Sequence, residues 1–196
     1  MRITAEQIQK ENESQKEIHG FAFDYLSNTL ECQGISVASI IEQIKAFQVA
    51  IPSWALGAGG TRFSRFSFYG EPSTLSQKLE DVGVLHALTQ SAGAISLHIP
   101  WDVPEDYTAI KEQAKTLGLV FDAVNSNTFQ DQKGAKTSYK FGSLSSIDEA
   151  SRVQAITHNQ EVISIGKKLG SKSITVWLAD GANFPGQVNF QTAIQQ

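Results

Sequence analysis

Ala94-Ile-Ser-Leu-His98-Ile-Pro-Trp101-Asp102 is a short apolar run that ends in an imidazole, a proline turn, an indole and a carboxylate. Alternation places Ile95, Leu97 and Ile99 on one face of a strand and Ser96 and His98 on the other. One face is apolar and the other is not. In α/β proteins a buried strand whose C-terminal end carries polar and aromatic groups is a common location for a binding or catalytic site.

Outward from this stretch, helical and strand patterns alternate. Toward the N-terminus, residues 75–89 read as a helix with Leu79, Val82, Leu85 and Leu88 on one face, preceded by a long loop, 55–74, rich in glycine and aromatics. Residues 48–52 read as a first strand closing at Ser53-Trp54, residues 36–47 as a helix, and residues 4–28 as a helical arm broken over 30–34. The apolar contacts of the arm are expected in its second half. Toward the C-terminus follow a helix over 104–116, a strand over 119–124, a helix over 147–169 stopped by Gly170, and a strand over 173–178. Crossovers this long cannot be hairpins, so the four strands are expected to be parallel.

The parity of strands two and four separates two architectures. In 173–178, Ile174, Val176 and Leu178 share one face, and Ser173, Thr175 and Trp177 the other. A doubly wound sheet is covered on both faces and favours apolar residues throughout. A half-polar strand ending in functional side chains suits the inside of a (β/α) barrel, which four strands do not close. The chain also starts a crossover helix over 188–196 with no strand after it. The expectation is therefore an α/β chain forming the N-terminal half of a (β/α)8 TIM barrel. Residues 1–47 make a helical arm and leading helix, and residues 48–196 the first four βα units. A complete four-stranded α/β domain is the alternative.

Composition narrows the function. The 196 residues are 41% hydrophobic and 18% charged, with a formal charge of −4. Lysine and arginine are scattered, so no basic field invites nucleic acid. The N-terminus is too polar for a signal peptide and no run approaches a membrane span. Cys32 is the single cysteine, which excludes an intrachain disulfide and fits a cytoplasmic setting.

Gly57-Ala-Gly59-Gly60-Thr61-Arg62 lacks the third glycine of a dinucleotide fingerprint and the lysine of a P-loop, so it reads as a hinged, aromatic-tipped loop or a structural one. His98 titrates near neutrality and is a candidate acid, base or hydroxyl partner, with Asp102 placed to orient its ring; the alternative is a core histidine. Trp54, Trp101, Phe129 and Trp177 follow four successive strands and read as a plug or as an apolar wall around a small polyol. Asn125, Asn127, Asp180 and Asn183 are its polar complement in turns. His86 and His158 fall within helices, and Asp122 and Glu161 are assigned solvated or packing roles. No metal ligand set is expected in this chain.

Several of these stretches match one family. Val49-Ala-Ile-Pro-Ser-Trp54, Gly59-Gly-Thr-Arg-Phe63, Ser96-Leu-His-Ile-Pro-Trp-Asp102, Phe121-Asp122 with Asn125-Ser-Asn-Thr-Phe129, Ser138-Tyr-Lys with Gly142-Ser-Leu-Ser145, and Thr175-Val-Trp177 with Asn183-Phe-Pro-Gly-Gln187 resemble the N-terminal half of the L-rhamnose isomerase family. The nearer likeness is to its broad-specificity, xylose isomerase-like bacterial subtype. The resemblance implies a homotetrameric (β/α)8 barrel interconverting an aldose and a ketose with two divalent ions, usually Mn2+. It also implies that Trp54, Phe63, His98, Trp101, Phe129 and Trp177 line the sugar pocket. Phe63 would approach a neighbouring subunit's site, and the metal ligands would lie in the second half. Alternatives are another sugar isomerase or epimerase on the same barrel, or a non-catalytic half-barrel sugar-binding module.

Overall fold

Alternation in the second strand becomes burial: Ile95, Leu97 and Ile99 are at most 2% exposed, beneath the helices that follow and precede it. The computed structural model describes residues 3–57, 69–182 and 184–196. Helices α1 (Ala5–Cys32) and α2 (Val37–Ala46) lead into β1 (Ala50–Pro52), α3 (Leu75–Thr89), β2 (Ala94–Ile99), α4 (Tyr107–Thr116), β3 (Val120–Thr128), α5 (Glu149–Leu169), β4 (Ile174–Leu178) and α6 (Phe190–Gln195). Short 3-10 turns occupy Ser53–Ala55 and Tyr139–Phe141. The chain is α/β, with four parallel strands alternating with helices.

The strands lie in sequential order β1-β2-β3-β4. Registers such as Ile51 beside Ile95, His98 beside Asn125, and Asn125 beside Thr175 place the strands' C-terminal ends at one rim. Each crossover therefore steps the same way, and the right-handed rule then sends the crossover helices α3, α4 and α5 to one face. The core agrees: Ile95, Leu97, Ile99 and Val124 pack with Leu79 and Val82 of α3, Ala114 of α4, and Val162 and Leu169 of α5. Gly166 lets α5 approach β3, since a Cβ there would come within 2.9 Å of Val124 Cγ2. On the other face Ser96 Oγ donates to Asp122 Oδ2 at 3.0 Å.

Boundaries differ from the sequence reading for identifiable reasons. Helices α4 and α5 begin later because Asp106 and Asp148 cap them: Asp106 Oδ1 accepts from Thr108 N at 2.8 Å and Asp148 Oδ2 from Ser151 N at 2.9 Å. Helix α1 runs through Leu30 to Cys32 and stops at Gly34, whose φ of 76° suits glycine. Ile18, Phe21, Phe23, Tyr25 and Leu26 of α1 are exposed, so the expected apolar contacts of its second half are not made. In α3 the buried stripe is Lys78, Leu79 and Val82, with Leu75 partly buried beside it, while Leu85 and Leu88 are exposed. Among the described residues no helix is long and apolar enough to cross a membrane.

Candidate functional site

The site lies at the C-terminal rim of the sheet. Trp54 follows β1, His98 is the penultimate residue of β2, Trp101 is in the turn after it, and Phe129 follows β3. Trp177 is not beyond β4 but within it. The rings form one continuous array. Trp101 stacks on His98 with centroids 4.1 Å apart and planes at 17°; Trp54 meets the same imidazole edge-on at 5.4 Å and Phe129 at 6.0 Å. Phe129 in turn lies 6.0 Å from Trp177. Phe63 and Asn183, and the glycine-rich stretch 58–62, lie outside the described residues.

Strand β3 is longer than expected because asparagines turn inward rather than forming a turn. Asn125 Nδ2 donates to Leu97 O at 3.0 Å, and its Oδ1 accepts from Trp177 Nε1 at 3.0 Å. One amide thus bridges three strands and fixes the Trp177 indole. Asn127 pairs with Trp177 in register, and both polar atoms of its buried side-chain amide lack a hydrogen-bond partner among the described residues.

Asp102 does not orient the His98 ring, contrary to expectation. Its Oδ2 accepts from the His98 backbone N–H at 2.8 Å and from Ser53 Oγ at 2.5 Å, while Oδ1 pairs with Lys78 Nζ at 2.7 Å. The imidazole is left with a buried Nε2 that has no hydrogen-bond partner among the described residues. An orphaned buried polar atom of this kind, walled by aromatic rings, calls for an explanation beyond packing.

Burial pushes the His98 imidazole down from 6.5 to about 4, opposed by the Asp102 carboxylate, with His158 and Lys78 adding to the downward shift. The ring is therefore neutral at pH 7, one nitrogen donating and the other accepting. As pH falls, the unfolded chain binds a proton near 6.5 while the folded chain resists until about 4. The contribution of His98 to stability is thus complete above pH 6.5 and is lost progressively between 6.5 and 4. Urea unfolding at pH 7, 6, 5 and 4 should show the midpoint falling across this window. His98→Asn should flatten the fall, leaving the component from His158, whose imidazole burial also pushes down.

Sequence reasoning missed Lys78, Ser53 and His158. Lys78 left a signal: it sits at the i+3 position between Leu75 and Leu79, on the apolar stripe rather than opposite it. Ser53 left none. His158 was set aside as helix-borne, yet its Nε2 accepts from Asn127 N at 3.1 Å at the rim of β3. Its Nδ1 lies 4.0 Å from Glu161, and Asp122 is engaged by Ser96. Among the described residues no three His, Cys, Asp or Glu side chains converge to hold a metal ion, so a divalent ion does not fit the residues present here.

Known proteins bear on this geometry. Over 194 residues the chain is 48% identical to a probable sugar isomerase of Rhizobium meliloti (strain 1021), a match covering 99% of this chain and 45% of that one. The chain is similar to probable sugar isomerases. One from Mesorhizobium japonicum (strain LMG 29417 / CECT 9101 / MAFF 303099) is 49% identical over 194 residues, with 99% and 45% covered. The chain spans a little under half the length of the curated relatives it matches. No protein-family model matches it.

Proposed function

We propose that this chain is the sugar-binding half of an aldose–ketose isomerase of the L-rhamnose isomerase type, built on the first half of a (β/α)8 barrel. The observation that carries the reading is the array of Trp54, His98, Trp101, Phe129 and Trp177 around an unpartnered, buried imidazole nitrogen. Sequential strand order with helices on one face supports the barrel, because a closed barrel is singly wound. The names of the two relatives support isomerisation of a sugar.

Each residue has a defined task in this proposal. The indoles and Phe129 cover the C–H faces of the sugar and exclude water, which suppresses proton exchange during hydrogen transfer between C1 and C2. Neutral His98 exchanges a hydrogen bond with a sugar hydroxyl through Nε2 and so fixes the register of the chain of carbons. Asn125 holds the Trp177 face in place. Phe63, outside the described residues, is assigned to the sugar pocket by the family resemblance alone. A divalent ion, Mn2+ by the family resemblance, would polarise the sugar oxygens; its ligands are assigned to the part of the relatives outside the matched region. A cytoplasmic homotetramer completes the proposal.

The reaction class is tested on a polypeptide carrying this chain and extending over the length of its relatives. Supplied with Mn2+ and a panel of aldoses and ketoses, it is expected to interconvert L-rhamnose and its 2-ketose. Epimerisation at C3, or sugar binding without turnover, would replace the isomerase reading with an epimerase or a binding module.

A further inference from the structure

The buried network beneath the wall has a role of its own. Lys78 and Asp102 have side chains 7% and 1% exposed, and they pair at 2.7 Å. A carboxylate and an ammonium taken out of water together offer little net stability compared with apolar residues of the same size. What the pair does provide is geometry. Asp102 N donates to His98 O at 3.0 Å while Asp102 Oδ2 accepts from His98 N at 2.8 Å, so the turn from 98 to 102 is closed from both sides. That closure folds Trp101 back over the His98 ring. The same Oδ2 accepts from Ser53, the residue before Trp54, and so ties the end of β1 to the end of β2.

We propose that Lys78 is a positioning residue of the sugar wall: through Asp102 it holds the turn that stacks Trp101 on His98 and fixes Trp54 beside them. The inference rests on reading these rings as a sugar wall, but its geometry does not. Helix α3 supplies the countercharge from the apolar stripe Leu75, Lys78, Leu79 and Val82, so the spacing of the wall is set by how α3 packs on the sheet. Among the described residues Lys78 is paired with Asp102 and belongs to no ring–ring or cation–π contact, so the role assigned to it runs through Asp102.

The test uses the 196-residue chain and needs no sugar. Carbon-bound protons of the His98 imidazole, lying under the Trp101 indole, are expected to be displaced upfield by its ring current. Two variants are compared with the parent below their unfolding transitions, with circular dichroism showing that each is folded. Lys78→Met removes the countercharge. Lys78→Met with Asp102→Leu removes both charges and leaves no buried ion uncompensated, the largest cost carried by the single variant. Both are expected to lose most of the upfield displacement while folded. A merely structural pair would lower the unfolding midpoint and leave the rings stacked. Retention of the displacement in either folded variant overturns the proposal, as does its absence from the parent. Because no sugar is present, loss of the displacement bears on the positioning role alone, and the sugar reading fails or stands separately by turnover of the extended polypeptide.

Discussion

Asp102→Ala is expected to destabilise the fold by about 3–5 kcal/mol, the cost of leaving one member of a buried ion pair alone. Three groups lose their acceptor at once: the Lys78 ammonium, the His98 backbone N–H and the Ser53 hydroxyl. The ammonium dominates, because it carries a full charge and its side chain is only 7% exposed. Each uncharged donor adds roughly 1 kcal/mol or more when left buried and unpaired. For a domain of this size the change corresponds to a fall in melting temperature of roughly 10 °C. Asp102→Asn should lose less, since its amide oxygen still accepts a hydrogen bond where the carboxylate did. Urea unfolding of the three proteins orders them wild type, Asn, Ala. A loss below about 1 kcal/mol for Asp102→Ala would mean that Lys78 escapes to solvent and that the buried pair does not hold the rim together.

How far the sequence foretold this molecule depends on the range of the interaction. Alternation in 94–99 and the spacing of Leu79 and Val82 are local patterns, and both reappear as burial. The four parallel strands followed from connection lengths alone. Strand β3 ended too early on paper because asparagines are poor strand formers in isolation. Asn125 is retained in the strand by partners on β2 and β4, which are 28 and 52 residues away in sequence. The aromatic positions were legible because each falls near a strand end, and the structure brings Trp54, His98, Trp101, Phe129 and Trp177 into one array. The supports of that array were not. Ser53 reaches Asp102 across 49 positions with nothing in its neighbourhood to mark it, and Lys78 across 24, where its place on the apolar stripe of α3 signals burial without naming the partner. Asp102 was noticed for its proximity to His98, yet proximity along the chain delivered it to the backbone rather than to the ring.

His98→Asn addresses the wall itself. Asparagine retains a polar head but cannot lie under Trp101 as a flat ring, and it presents a carbonyl or an amide where the imidazole presents Nε2. A hydrogen bond to a sugar hydroxyl that tightens as the reacting carbons align would be lost from the transition state more than from the ground state. The expected result is a kcat/KM at least about tenfold lower, equivalent to roughly 1.4 kcal/mol of transition-state binding. The protein to use is the polypeptide extended over the length of its relatives, with L-rhamnose as substrate and Mn2+ present. Parent and variant are compared at pH 7 below both unfolding transitions, so that the kinetic difference reports on the site. The measurement that decides whether this rim is a sugar-binding wall is therefore kcat/KM of His98→Asn against the parent: a drop of tenfold or more is expected, and an unchanged value would return His98 and its ring of aromatics to the packing of the fold.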